Sequence, residues 1–397
     1  MTGLALPIFN MAQLSPRKLE YLELGEIGLV EKGELFDELV KKLTVTEASA
    51  LVARIHERNA VTSKSRRFGL YPVQDWPAFE RMKCMEASFW NANLIKFNQD
   101  RDDFLQFSAE KRKPLLMAFG FFAVGDGSVV CMLAFQMILA AQTMEQQAFY
   151  IVQMNNERVH AETYGKMIYS LVRNQKERDE IFEAVDRVES IKRMNAFIER
   201  SFMYSNEQRE RYVNLAIAEY VMFIPLFCII FWYRAYEPGK IKQVIFANEE
   251  IGKDEAAHGQ NGADNYRSLP KSQRYTDEEI HHHMDEAVKL IECFAEELCE
   301  GITLPELTAD NVKQYVKFVA DDLLDRLGHS ALYQVRNPFV WMQFTNFVPK
   351  TNFYEGDVGE YSHFNVNEVI GEARALCSDS DLSREVNAYQ SVDDLKF

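Results

Sequence analysis

Two long apolar stretches, residues 114–141 and 213–233, each carry a single carboxylate near the middle, Asp126 and Glu219. Both are long enough to span a bilayer. An acid at the centre of a bilayer is costly and rare, which weighs against a membrane role. Buried helices of a large bundle explain the same apolarity without lipid. The acids then lie in a protein interior, where a charge is tolerated only when it is paired or binds a metal.

Downstream of each stretch lies a Glu-x-x-His pair, Glu157/His160 and Glu255/His258. Positions i and i+3 share one helical face, so both side chains of a pair can reach one ion. Spacing alone discriminates little, because Glu278/His281, Glu279/His282 and Glu360/His363 have the same form. Glu278 and Glu279 belong to the polar run TDEEIHHHMDE, which reads as an exposed helix start with Thr276 as N-cap. Glu360/His363 falls in a tail containing Gly and Asn. Only the first two pairs combine apolar surroundings with a separate acid. Four carboxylates and two imidazoles in such a setting fit the dinuclear site of a ferritin-like bundle, with one pair from each of two helices and one acid from each of two others. Mixed oxygen and nitrogen donors without thiolate suit iron or manganese.

The remaining composition agrees with an all-α chain. Of 397 residues, 47% are hydrophobic, and only 18 are Gly and 11 Pro, which favours long helices over turn-rich sheet. A net charge of −16 leaves no basic stripe for phosphates, so nucleic acid is not an expected partner. Six cysteines without a Cys-x-x-Cys pairing, and an N-terminus without a secretory pattern, point to a reducing, cytoplasmic setting. Along the chain the pattern predicts a peripheral N-terminal segment at 1–70 and a metal-binding helical domain at 71–336. An irregular aromatic segment at 337–375 and a flexible acidic tail at 376–397 follow. Breaks are expected at Gly125-Asp126-Gly127, Pro238-Gly239 and Leu269-Pro270.

Tyr164 lies four residues after His160 and seven after Glu157, on the same helical stripe. Phe223, Phe227 and Ile251 stand at helical spacing from Glu219 and Glu255 and are expected to line a dry pocket beside the metals. Ordinary core packing would use the same residues.

The order Asp126, Glu157-x-x-His160-x-x-x-Tyr164, Glu219, Asp254-Glu255-x-x-His258 resembles the small, radical-generating subunit of class I ribonucleotide reductase. The segments MEASFW (85–90), GDGSVV (125–130), NERVHAETY (156–164), FANEEIGKDEAAH (246–258), NPF (337–339), KTNFYE (350–355) and the GEY ending at Tyr361 look like that family's landmarks. The resemblance runs from about Tyr71 to Tyr361. It implies that Asp126, Glu157 and His160 hold one metal and Glu219, Glu255 and His258 the other, with Glu157 and Glu255 bridging. Two irons are the first expectation, and a dimanganese or mixed pair suits the same ligands. The reduced cluster would activate O₂ and oxidise Tyr164 to a radical, shielded by Phe223, Phe227 and Ile251. Asp254 would hydrogen-bond His160. A homodimer would pass the radical to a large subunit, docked through the acidic tail ending in Phe397. Tyr361 would act as the relay tyrosine, with Tyr389 as runner-up.

One departure stands out. The family's relay tryptophan, sought in the segment before MEASFW, aligns without gaps to Phe79, and the nearby tryptophan is Trp76. Two other readings share the ligand pairs. One is a desaturase or hydroxylase acting on an organic substrate; the other is a metal-storage bundle. An Asp as first ligand, Tyr164 at its spacing and the Phe-ended tail favour the reductase subunit.

Overall fold

Several helices begin where short polar side chains cap free backbone N–H groups. Helix α1 (Trp76–Ala87) starts at Asp75, whose side chain accepts from the Ala78 N–H, and Pro77 stands in its first turn. A short α2 (Arg101–Gln106) follows. Ser108 caps α3 (Ala109–Met132). Helix α4 (Met144–Leu171) is the longest single α-helical run on the ligand-bearing side, followed by α5 (Gln175–Phe182) and α6 (Glu189–Met203). Helix α7 (Gln208–Ala216) continues through a π-helical segment, Ile217–Phe223, and a 3₁₀ turn, Ile224–Leu226, into α8 (Phe227–Tyr236). Then come α9 (Lys242–Ser268), α10 (Asp277–Cys299), α11 (Ala309–Leu327) and α12 (Val366–Ser378).

The computed structural model describes residues 69–183, 187–203, 205, 207–344 and 365–378. Among the described residues every regular element is helical. Those at 69–138 and from 144 onward belong to one compact unit, which carries the site. Within it α3 packs on α4, α7 on α9, α10 on α11 and α1 on α4. The expected N-terminal helical patches, Tyr361, Tyr389 and nearly all of the acidic tail lie outside the described residues.

Two of the expected breaks are present. Helix α9 ends at Ser268, just before Leu269-Pro270, and Gly239 takes φ +86° after α8. The third is not: α3 runs unbroken through Gly125-Asp126-Gly127. A side chain at Gly125 would meet the Phe223 ring at 2.8 Å, so this glycine serves close packing rather than a turn. The polar run at the His triplet begins α10, with Thr276 and Glu279 forming a reciprocal capping box.

The apolar stretches are accounted for by burial. Ala109–Met132 and Gln208–Tyr236 are long and apolar enough to cross a membrane, yet the most apolar window of the second is wholly buried inside the protein. The π segment has a local cause. Pro225 has no N–H to give to the carbonyl four residues back, so the α ladder cannot continue through it.

Helix α9 is anchored at both ends. Ile241, at φ 40°, precedes its first turn. There Asp100 accepts from the Val244 N–H at 2.7 Å and Asp103 from the Ile241 N–H at 3.2 Å. Carboxylates at a helix N-terminus also complement its dipole. Burial nevertheless lifts the Asp100 carboxyl to about 6, outweighing the backbone hydrogen bonds that favour its charged form. Nearer its other end, buried Arg81 from α1 donates to Asn261 at 2.8 Å and Asn265 at 2.9 Å. Small residues bring α9 close to α7 and to the π segment: a Cβ at Gly262 would stand 3.0 Å from Ala216 Cβ, and one at Gly259 2.8 Å from Tyr220 Cβ.

Candidate metal centre

Four helical elements deliver one cluster. Asp126 comes from α3, Glu157 and His160 from α4, Glu219 from the π segment, and Glu255 and His258 from α9. All six are fully buried. Their ligand atoms form two groups, Asp126–Glu157–His160–Glu255 and Glu157–Glu219–Glu255–His258, each within 4.8 Å. Glu157 and Glu255 belong to both groups, the arrangement two adjacent ions with bridging carboxylates require.

Nδ1 of His160 lies 3.0 Å from Glu255 Oε1 and 3.3 Å from Glu157 Oε2. Nδ1 of His258 lies 2.8 Å from Glu157 Oε1 and 3.5 Å from Glu219 Oε2. Much of this proximity is not hydrogen bonding. Both Asp126 oxygens, Glu157 Oε1, Glu219 Oε2, both Glu255 oxygens and both His258 nitrogens are buried without a hydrogen-bond partner. A single buried polar atom left so costs roughly 1–3 kcal/mol. Atoms orphaned together and aimed at one another are what a bound cation pair would satisfy, so the donor set fits a dinuclear metal centre. Four carboxylates also match the charge of two dications.

The electrostatics agree. Burial raises Asp126 well above the usual carboxylate range; the His160 charge opposes it, and those of Glu255 and Glu157 add to it. Burial and the charges of Glu157 and Glu255 do the same to Glu219. Burial alone would lower His160, but hydrogen bonds to Asp254 and Glu157, with the Glu255 carboxylate beside the ring, outweigh it and hold it well above an ordinary histidine. His258 is also raised: burial opposes protonation, and the charges of Glu157 and Glu219 overcome it. Burial works against the Glu255 carboxylate too, yet the Glu219 carboxyl and the two imidazoles beside it hold it low. The raised groups hold protons more tightly than usual where metal would otherwise bind.

Around this centre stand residues of two kinds. Asp254 Oδ2 lies 3.0 Å from His160 Nε2, which leaves Nδ1 as the nitrogen facing the ligands. The same oxygen accepts from the Trp90 indole N–H at 2.8 Å, and the Trp90 ring stacks on His160 with centroids 5.9 Å apart. The tryptophan beside the cluster is therefore Trp90, inside MEASFW itself, and not a residue at Phe79 or Trp76. Phe79 is a core ring packed against Tyr71 and Trp76, and Trp76 lies under the Arg374 guanidinium. Gln153, one turn before Glu157, donates to Glu219 Oε1 at 2.6 Å.

Tyr164 is fully buried, and burial followed by the charges of Asp126, Glu255 and Glu157 raises its hydroxyl well above the ordinary range. Its hydroxyl donates to Asn248 Oδ1 at 2.7 Å. The ring stacked on it is Phe122, at 5.1 Å, with Phe119 at 6.4 Å. Phe223 and Phe227 pack against Phe122 at 5.8 and 4.9 Å, and Ile251 is fully buried on α9. Sequence reasoning missed Trp90, Gln153, Phe122 and Asn248. Three of them carried a signal: Gln153 and Phe122 stand four residues before Glu157 and Asp126, and Asn248 seven before Glu255, each on a ligand's own stripe.

Comparison with known proteins agrees in family and in fold. Residues 67–338 match the family described as ribonucleotide reductase, small chain. The chain is 31% identical over 308 residues to the ribonucleoside-diphosphate reductase small chain of Plasmodium falciparum (isolate Dd2), covering 77% of this chain and 86% of that protein. It is 31% identical over 314 residues to the small chain of Nicotiana tabacum, covering 79% and 93%. Among solved structures, the dimanganese(II)-NrdF of Streptococcus sanguinis superposes with a TM-score of 0.65 at 17% identity, over 72% of this chain and all (100%) of that one. The Rnr4 homodimer of Saccharomyces cerevisiae gives 0.63 at 22% identity, over 72% and 89%.

Proposed function

We propose, from the premise that the chain belongs to the ribonucleotide reductase small-chain family, that its cluster holds two metal ions and that Tyr164 is the side chain oxidised to a radical. The observation that carries this is the pair of ligand groups sharing Glu157 and Glu255, with a fully buried tyrosine on the same helix. Asp126, Glu157, His160 and Glu255 would hold one ion; Glu157, Glu219, Glu255 and His258 the other. When bound, the metals supply the O₂-dependent one-electron oxidation that the side chains cannot perform. Iron is the first candidate and manganese the second, since the ligand types accept both.

The chain's own residues prepare that chemistry. Asp254 accepts the His160 Nε2–H and so fixes the tautomer that leaves Nδ1 free for metal. Gln153 orients Glu219. Phe122 and Phe119 keep water from Tyr164, where a radical would otherwise be quenched. Trp90, Asp254 and His160 form a continuous hydrogen-bonded line ending at the ligands. That line is the proposed exit route of the radical, and it assigns the relay tryptophan to Trp90. Tyr361 is the proposed relay tyrosine toward a large subunit, and the acidic tail ending in Phe397 the docking peptide. The family reading outweighs a desaturase or hydroxylase.

A homodimer is proposed by likeness to the Saccharomyces protein, whose description names one. Six free cysteines suit a reducing cytoplasm. The test is metal analysis with paramagnetic resonance on the protein after reduced, metal-loaded material meets O₂. A tyrosyl signal lost in Tyr164→Phe at unchanged metal content is the expected result. A persisting signal places the oxidant elsewhere. Removing residues 376–397 should abolish binding to the large subunit and leave metal content intact; unchanged binding would exclude the tail as the docking element.

A further inference from the structure

The hydroxyl of Tyr164 has one proton to give, and it gives it to a neutral amide although three carboxylates of the cluster act on it. The amide cannot turn around. Asn248 Nδ2 donates to the Val244 carbonyl one turn back on α9 at 2.8 Å. Flipping the side chain would set Oδ1 against that carbonyl, acceptor against acceptor. Both Tyr164 and Asn248 are fully buried, so water does not compete for either.

Building on the reading of Tyr164 as the radical site, we propose that Asn248 is a positioning residue that stabilises the phenol and offers the phenoxyl nothing. Oxidation takes one electron and one proton from Tyr164. The electron goes to the O₂-activated metal pair of that reading. The proton cannot stay on Asn248, because a carboxamide oxygen is not a base at neutral pH. It would pass instead to a cluster carboxylate whose charge acts on the hydroxyl, Asp126 first. The phenoxyl oxygen then faces Oδ1 with no hydrogen between them, two acceptors that cannot bond. One hydrogen bond is made only in the reduced state. Its presence makes the radical a stronger oxidant and draws the returning electron and proton back to the same geometry.

The experiment uses the full chain, metal-free and then metal-loaded, with Asn248→Leu, which keeps the volume and removes the acceptor. Asn248→Ala serves should leucine disturb folding, and Asn248→Asp restores an acceptor. In metal-free protein, the vibrational difference between wild type and Tyr164→Phe isolates one phenol C–O stretch. It should report a donating hydroxyl in wild type, shift in Asn248→Leu and return in Asn248→Asp. In loaded protein the radical's g-anisotropy should be that of a phenoxyl without a hydrogen bond, the same in wild type and Asn248→Leu. The radical-to-phenol ratio at a fixed reductant potential should rise in Asn248→Leu by up to about tenfold, the weight of one net hydrogen bond. An unchanged C–O stretch, or a g-shift on removing the amide, overturns the positioning role alone. Absence of any tyrosyl signal in loaded wild type, with the stretch still shifting, overturns the radical assignment and the proposal with it.

Discussion

Replacing Gly259 by alanine tests whether the close approach of α9 to the π segment sets the metal site. Gly259 follows His258, and the residue it faces, Tyr220, follows Glu219. The new Cβ would stand 2.8 Å from Tyr220 Cβ and 2.9 Å from its Cδ2, against 3.4 Å for ordinary contact. The two elements must separate by about 0.6 Å, since Tyr220 has no room to yield. Its Cβ moves only with the backbone, its hydroxyl is tied to Asp322 at 2.6 Å, and the Arg326 guanidinium lies over its ring. Overpacking of this kind costs about 1–3 kcal/mol. The helical preference of alanine over glycine returns about 1 kcal/mol. Net destabilisation of about 0–2 kcal/mol should appear in guanidinium unfolding of the metal-free protein. The larger effect should fall on metal. Glu219 and His258 already stand 3.5 Å apart, and ligand distances tolerate only about ±0.2 Å. Affinity for the ion held by this pair should drop by roughly tenfold or more, read as metal retained against a competing chelator. Gly127→Ala is the control. It lies on exposed helix with no atom near its Cβ and should be stabilising by about 0.5–1 kcal/mol. Should Gly259→Ala match the control in stability and retain both metals like wild type, the argument from close packing is wrong.

Further outcomes follow from other contacts. Arg81→Ala should cost roughly 2–3 kcal/mol in denaturant unfolding, since it removes charge-assisted bonds to Asn261 and Asn265 and part of the α1–α9 contact; a loss below about 0.5 kcal/mol would contradict the buried geometry. Asp100 has its folded pKa raised to about 6, so the folded state binds the extra proton between the unfolded value and that one. Its contribution is most favourable below about pH 4 and is lost as pH rises through about 6. Asp100→Asn keeps an acceptor for the Val244 N–H and should flatten this part of the stability–pH profile, and an unaltered slope between those values would refute the assignment. Metal removal should lower the unfolding midpoint, because each ion at a hundredfold excess over its dissociation constant adds about 2.7 kcal/mol. Metal uptake should also release protons from His160 and His258, seen as a binding heat that depends on buffer ionisation. A buffer-independent heat would mean that these rings are already neutral in the metal-free protein.

The ligands were legible because their signal is local. An i, i+3 pair in an apolar helix, with one acid buried in an apolar stretch, declares its chemistry within a turn or two. Helix type was legible for the same reason, as were the ends marked by Thr276 and Leu269-Pro270. What stayed hidden depends on distance along the chain. The Trp90–Asp254 bond joins residues 164 apart, and counting back from the motif led to Phe79, although the tryptophan bonded to Asp254 is the motif's own. Asn248 looked like any polar residue of a helix until Tyr164, 84 positions away, was seen to point at it. The Gly125 pair misled in the other direction. Glycine reads as a break from sequence, whereas here the Phe223 ring occupies the place of its side chain.

The π segment at Ile217–Phe223 has a consequence for phase. An α-helix advances about 100° per residue, and a π turn holds about one residue more than an α turn. The π residues thereby lag an uninterrupted wheel, and the 3₁₀ turn Ile224–Leu226, at about 120° per residue, takes back part of that lag. An ideal wheel drawn across Gln208–Tyr236 misplaces the residues past the interruption, although the apolar belt it shows is real, since residues 211–233 are all buried. The interrupted winding turns Glu219 toward the candidate metal centre and Phe227 toward the aromatic layer around Phe122.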